Sequence, residues 1–193
     1  MDLGGIGSTS LRGRHERPPR RRARPDQPHR ALVLVDIENL HGEPRSALAG
    51  ELAAIAWSLH RAASIHPLDH VVVGCNPKLA LPAKASWPSI RLVIRGGPDG
   101  ADLALLRCVE DVDFVMRRYD RVVIASGDGI FEEAAARLLR SMAVDIYSRP
   151  EALSWRLRRL GVTHPLVVSL PPPSGHPVLG PPGAPGVRAA AVG

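Results

Sequence analysis

The stretch ALVLVDIENL, residues 31–40, decides the fold. Ala31 to Val35 are apolar without a break, and Asp36, Glu38 and Asn39 follow at once. A short apolar run without alternation fits a strand buried on both faces. Such strands belong to parallel sheets covered by helices on either side. The rest of the chain agrees by alternating. Further strands are expected at His70–Cys75, Ile90–Ile94, Arg121–Ala125 and Val144–Tyr147, with a sixth at Leu166–Val168. Between them, Arg45–Ser64 carries Leu48, Leu52, Ile55, Ala56 and Leu59 at helical spacing. Pro77–Ser86 reads as a short helix with proline in its first turn. Ala101–Arg118 reads as one longer helix burying Leu105, Val109, Val112 and Val115, followed by helices at Ile130–Met142 and Glu151–Leu160. The expectation is a three-layer α/β domain: a parallel sheet of five or six strands, right-handed crossovers and helices on both faces.

With 193 residues and 45% hydrophobic content, the chain can build one domain with a real core, placed at residues 31–168. The 18 Gly and 19 Pro gather toward the two ends. Residues 1–30 hold Gly, Ser, Pro and Arg with almost no core formers, and read as a disordered basic arm. Residues 169–193 read as a disordered, Pro/Gly-rich tail. Charge follows the same division. The first 30 residues carry eight Arg against three acids, while residues 31–168 carry sixteen basic and sixteen acidic side chains. The isoelectric point of about 10.3 therefore belongs to the ends. The folded part has no net excess from which to build a basic face. The arm fits two readings, a sequence-blind contact with phosphates or a solvated linker. Cys75 and Cys108 read as buried free thiols, without zinc spacing. No apolar leader and no membrane-length apolar run are seen, so the cytoplasm is the expected compartment and no membrane the expected partner. Two Lys against 23 Arg, with abundant Ala, Gly and Pro, suggest GC-rich bacterial coding.

In a parallel sheet, ligands bind beyond the carboxyl ends of the strands, where the strand order switches. Three segments deliver carboxylates to that edge. The first strand runs into Asp36, the fourth into Ser126-Gly127-Asp128-Gly129, and the loop after the third leads to Asp102 at a helix start. Each Asp alone has an ordinary use as a turn or helix cap. Crowded together, such groups raise one another's pKa unless a cation offsets them. Mg²⁺ or Mn²⁺ suits an all-oxygen set and supplies water activation and charge stabilisation at a phosphate.

VDIENL at 35–40, GADLAL at 100–105 and ASGDGIF at 125–131 resemble, in order and spacing, the signature segments of NYN domains, which are PIN-like nucleases. The resemblance covers about residues 31–160. It implies a PIN-like parallel sheet, a site holding Mg²⁺ or Mn²⁺ on Asp36, Asp102 and Asp128, and endonucleolytic cleavage of RNA. It also implies that Asn39 orients the first loop or the substrate and that Ser126 holds the Asp128 turn. One departure stands out: many members carry a second Asp two residues after the first in the third segment, and here that position is Ile130. Asp99 or Glu132 is a candidate substitute. The alternative is a non-catalytic PIN-like module, binding RNA or protein, with a degenerate acidic site.

Other residues are less specific. Glu38 shares a side with Asp36 only if the chain is still extended there. His41 reads as a solvated loop residue. Arg95 and Arg149, after the third and fifth strands, could contact phosphate. Trp57, Trp87 and Trp155 are scattered through the chain and do not read as a stacking platform. No phosphate-cradling glycine loop with Lys and no nucleophile elbow is present. The oligomeric state is left open, a homodimer included.

Overall fold

The computed structural model describes residues 29–42 and 48–169. The basic arm and Pro-rich tail expected from the sequence lie outside these residues, apart from His29, Arg30 and Ser169. Six strands form one sheet: β1 (Ala31–Asp36), β2 (His70–Cys75), β3 (Arg91–Ile94), β4 (Arg121–Ala125), β5 (Ala143–Ser148) and β6 (Thr163–Pro165). Their order is β3-β2-β1-β4-β5-β6, and every pairing is parallel. The order reverses between β1 and β4, which opens a crevice at their carboxyl ends.

Because side chains alternate along a strand, β1 feeds two separate cores. Val33 and Val35 pack with Leu52, Ile55 and Leu59 of α2 (Ala49–Ala62). Leu32 and Leu34 pack with Leu105 of α4 (Gly100–Arg107), Val115 of α5 (Val112–Arg118) and Leu138 of α6 (Glu132–Leu139). Helices α1 (Ile37–His41), α2 and α3 (Ala80–Ser86) thus cover one face, and α4 to α7 (Trp155–Arg158) the other. All six residues of β1 are buried, as a doubly covered strand requires.

The departures from the sequence reading have local causes. The single helix expected over Ala101–Arg118 is two helices. The first closes in a tight turn, Cys108 N–H to the Leu105 carbonyl and Val109 N–H to that of Leu106. Asp111 then caps the second, accepting from Phe114 N–H at 2.8 Å. The last helix, expected over Glu151–Leu160, is a 3₁₀ turn at Pro150–Ala152 followed by the short α7. The Ile130–Met142 helix is likewise α6 preceded by a 3₁₀ turn at Gly129–Phe131. The sixth strand lies at Thr163–Pro165, not at Leu166–Val168. Only Leu166 of that apolar triplet stays buried, with its N–H on the Ser148 carbonyl, whereas Val167 is 72% exposed. Helix α1 was not expected at all. Asp36 caps its start and Gly42, at φ +86°, ends it in the left-handed conformation that favours glycine. Among the described residues no helix is long and apolar enough to cross a membrane.

Candidate active site

The last register pair between β1 and β4 is Val35 with Ala125. The next residues, Asp36 and Ser126, therefore stand side by side where the crevice opens. Ser126 Oγ donates to Asp36 Oδ2 at 2.8 Å, and Asp36 Oδ1 accepts from Asn39 N–H at 3.1 Å. Asp36 is 4% exposed, so its charge sits in low dielectric. Ser126 Oγ also accepts from Asp128 N–H at 3.1 Å, and Asp128 Oδ1 from Ile130 N–H at 2.9 Å. Asn39 spans the crevice: its Oδ1 accepts from Gly127 N–H at 2.8 Å. Asn39 thus ties the first loop to the Gly127 backbone, and Ser126 links Asp36 to the Asp128 turn. Gly127 cannot be replaced freely, because a Cβ there would run into the Ala152 carbonyl and Ser148 Oγ.

Asp102 arrives from the far side, in the first turn of α4. Its carboxyl lies against that of Asp36, close enough to share a proton. Burial, then the Asp36 charge and that contact, then Asp128 and Asp99, push the Asp102 pKa up to about 7. Burial likewise raises Asp36, partly offset by the Asn39 and Ser126 hydrogen bonds. Asp102 Oδ1 is buried and has no hydrogen-bond partner among the described residues. The sequence reading brought three acids to one mouth. Asp36 and Asp102 meet, while Asp128 acts through its charge on Asp102.

Asp36 and Asp102 line a small cleft of about 60 Å³ together with Glu38, Arg95 and Asp99. Glu38 belongs to it, which the sequence left open. Its Oε1 accepts from Asn76 N–H at 2.6 Å, so α1 is tied to the end of β2. Asp99 reaches the cleft from a strained position, φ +52°, just before α4. Arg95 is exposed at the cleft and makes no ion pair among the described residues. Arg149 is placed differently. It donates to the Asn39 carbonyl at 3.2 Å and pairs with Glu151 at 3.0 Å, closing the C-terminal end of α1. His41 is no solvated loop residue; it pairs with Glu51 at 3.1 Å. Ile130 is half-buried against the core, and Glu132 is taken by Arg159 at 2.9 Å. Of the two candidate substitutes for the missing acid, only Asp99 is in the cleft.

Among the described residues, no three acidic, His or Cys side chains converge as a ready metal cage. The donors fit a different kind of site. Mg²⁺ is commonly held by one or two carboxylates with water filling its other positions. Two touching carboxyls, one with a buried oxygen lacking any donor, suit that mode. No protein-family model matches the chain, and no curated protein matches it. Among solved structures, it is similar to a protein of unknown function from Vibrio parahaemolyticus, at 18% identity and a TM-score of 0.49 over 74% of this chain and 93% of that one.

Proposed function

We propose that the protein is a metal-dependent endoribonuclease of the NYN, PIN-like kind. The observation that carries this reading is the Asp36–Asp102 carboxyl pair at the switch in strand order, Asp36 buried and Asp102 half-buried with an unpartnered oxygen among the described residues. Like charges so close cannot both ionise without a cation or a proton between them. Asp36 and Asp102 would hold Mg²⁺ or Mn²⁺, with the Asp128 charge adding to its attraction. Bound there, the ion would supply water activation and charge stabilisation for attack on an RNA phosphodiester. The residues do the positioning. Ser126 and Asn39 fix the Asp36 carboxylate and the Asp128 turn, and Arg95 offers a guanidinium to the substrate phosphate.

The test is direct. Full-length protein with Mn²⁺ should cut labelled single-stranded RNA, EDTA should stop it, and Asp102→Asn should abolish it. The second reading, a binding module, draws on Ile130 packing where a further acid is common in the family. RNA binding without cutting at any Mn²⁺ concentration would favour that module.

A further inference from the structure

We propose that α7 and the turn before it form a landing site for single-stranded RNA beside the acidic cleft. Trp155 would stack one base, and Arg156 would contact the phosphate that leads into the cleft. This rests on the nuclease reading for its choice of polyanion, but on different residues.

Trp155 is 67% exposed, an unusual position for a ring that gains most when covered. Its neighbours fix it next to the site. Ser154 caps α7, its Oγ accepting from Arg156 N–H at 3.3 Å, and its own N–H donates to the Gly127 carbonyl at 2.8 Å. A Cβ on Gly129 would stand 2.8 Å from Ser154 Oγ and 3.3 Å from Arg156 Cδ. The start of α7 therefore lies on the turn that carries Asp128. Arg159 holds the indole in place: its guanidinium is 5.2 Å from the ring centroid and is anchored on Glu132. A ring kept in one orientation loses little entropy when a base covers it.

Charge selects the occupant. Arg156 and Arg158 are exposed and make no ion pair among the described residues, and α7 contains no acid. Across the cleft stands Arg95, also without an ion pair among those residues. The edge thus carries arginine on both flanks, Arg95 on one and Arg156 with Arg158 on the other, around a negative centre of Asp36, Glu38, Asp99 and Asp102. That order suits a phosphate chain crossing the cleft better than an acidic or apolar protein surface. Stacking on an indole requires an unpaired base, which selects single strands over duplex. The neutral total charge of residues 31–168 concealed this patch, because a sum over the domain carries no information about placement.

The full chain should be titrated in EDTA with a labelled oligouridylate and with a labelled RNA duplex, reading fluorescence anisotropy. Trp155→Ala should weaken single-strand binding on the order of tenfold, the loss expected for one stacked base, while Trp155→Phe keeps most of it. Arg156→Glu should weaken it further and lower the slope of log affinity against log salt by about one. Single-strand affinity unchanged in Trp155→Ala overturns the proposal. If wild type still cuts RNA in that case, the nuclease reading survives alone. Trp155-dependent binding without any cutting in Mn²⁺ supports the landing site and removes the nuclease. A Trp155→Ala chain that sediments as a smaller species with unaltered RNA affinity also overturns it, in favour of a contact between copies.

Discussion

The floor of the cleft and its rim hold their carboxylates in opposite ways. On the floor, where β1 and β4 end, Asp36 receives hydrogen bonds from Asn39 and Ser126. On the rim, in the first turn of α4, Asp102 has a buried oxygen with no donor among the described residues. The floor is thus a structural device that also presents a carboxylate. The rim holds a carboxylate under stress that local structure does not relieve. A buried polar atom left unpartnered is costly, and such cost is tolerated where something else will pair with it. The comparison assigns different consequences to two chemically identical residues.

The sharpest break is on the rim. Asp102→Asn should lower Mn²⁺-dependent RNA cleavage by more than about a hundredfold, beyond what outer-shell partners of a metal are worth. It should leave the melting temperature equal or higher, since it removes a charge repelled by Asp36, Asp128 and Asp99. A cleavage assay beside a thermal melt reads both, and a large loss of stability would contradict the assignment. On the floor the order inverts. Asp36→Ala removes a helix cap and strands Ser126, which should cost about 2 kcal/mol in urea unfolding even after the repulsion is relieved. Gly127→Ala adds no charge but drives a Cβ into the Ala152 carbonyl. It should cost about 1–3 kcal/mol by the same measurement, as overpacking does.

Protonation sharpens the contrast. The folded pKa of Asp102, about 7, lies above the ordinary carboxylate value of 3.8 that it regains on unfolding. The native state therefore binds the extra proton, and this contribution to stability is full below the unfolded value and lost as pH rises through about 7. Urea midpoints in EDTA should show wild type losing ground to Asp102→Asn between about pH 4 and pH 7. The difference between the two chains isolates the effect. His60 and His70, lowered mainly by burial, favour folding at higher pH in both chains. The smallest expected effect is stabilisation by the ion itself. Mn²⁺ at ten times its dissociation constant should stabilise wild type by about 1.4 kcal/mol, more at the alkaline end, and should leave Asp102→Asn unmoved.

Much of this was legible along the chain. The strands His70–Cys75 and Arg121–Ala125 were read with their observed bounds, and β1 was one residue longer than its apolar run. Strands buried on both faces must be apolar throughout, and that signal is local. Elements at the margin were not legible. Strand β6 is Thr163-His164-Pro165, an edge strand paired through its backbone to Ile146–Ser148. Edge pairing asks little of side chains, so the more apolar Leu166–Val168 drew the reading away. Helix α1 could have been found from Asp36 and Gly42, a cap and a stop five residues of helix apart.

The sequence by itself determined an α/β sheet and the three acids worth watching, because strand burial and turn chemistry are written in neighbouring residues. Tertiary structure alone decided that Asp102 meets Asp36 while Asp128 only biases Asp102. It also decided that Glu38 and Asp99 line the cleft while Glu132 and Arg149 are spent elsewhere, and that Trp155 stands exposed beside Asp128. Those outcomes depend on strand register, on where a helix breaks and on which surface covers which. Contacts between residues dozens of positions apart set them, and no short window of sequence contains such contacts.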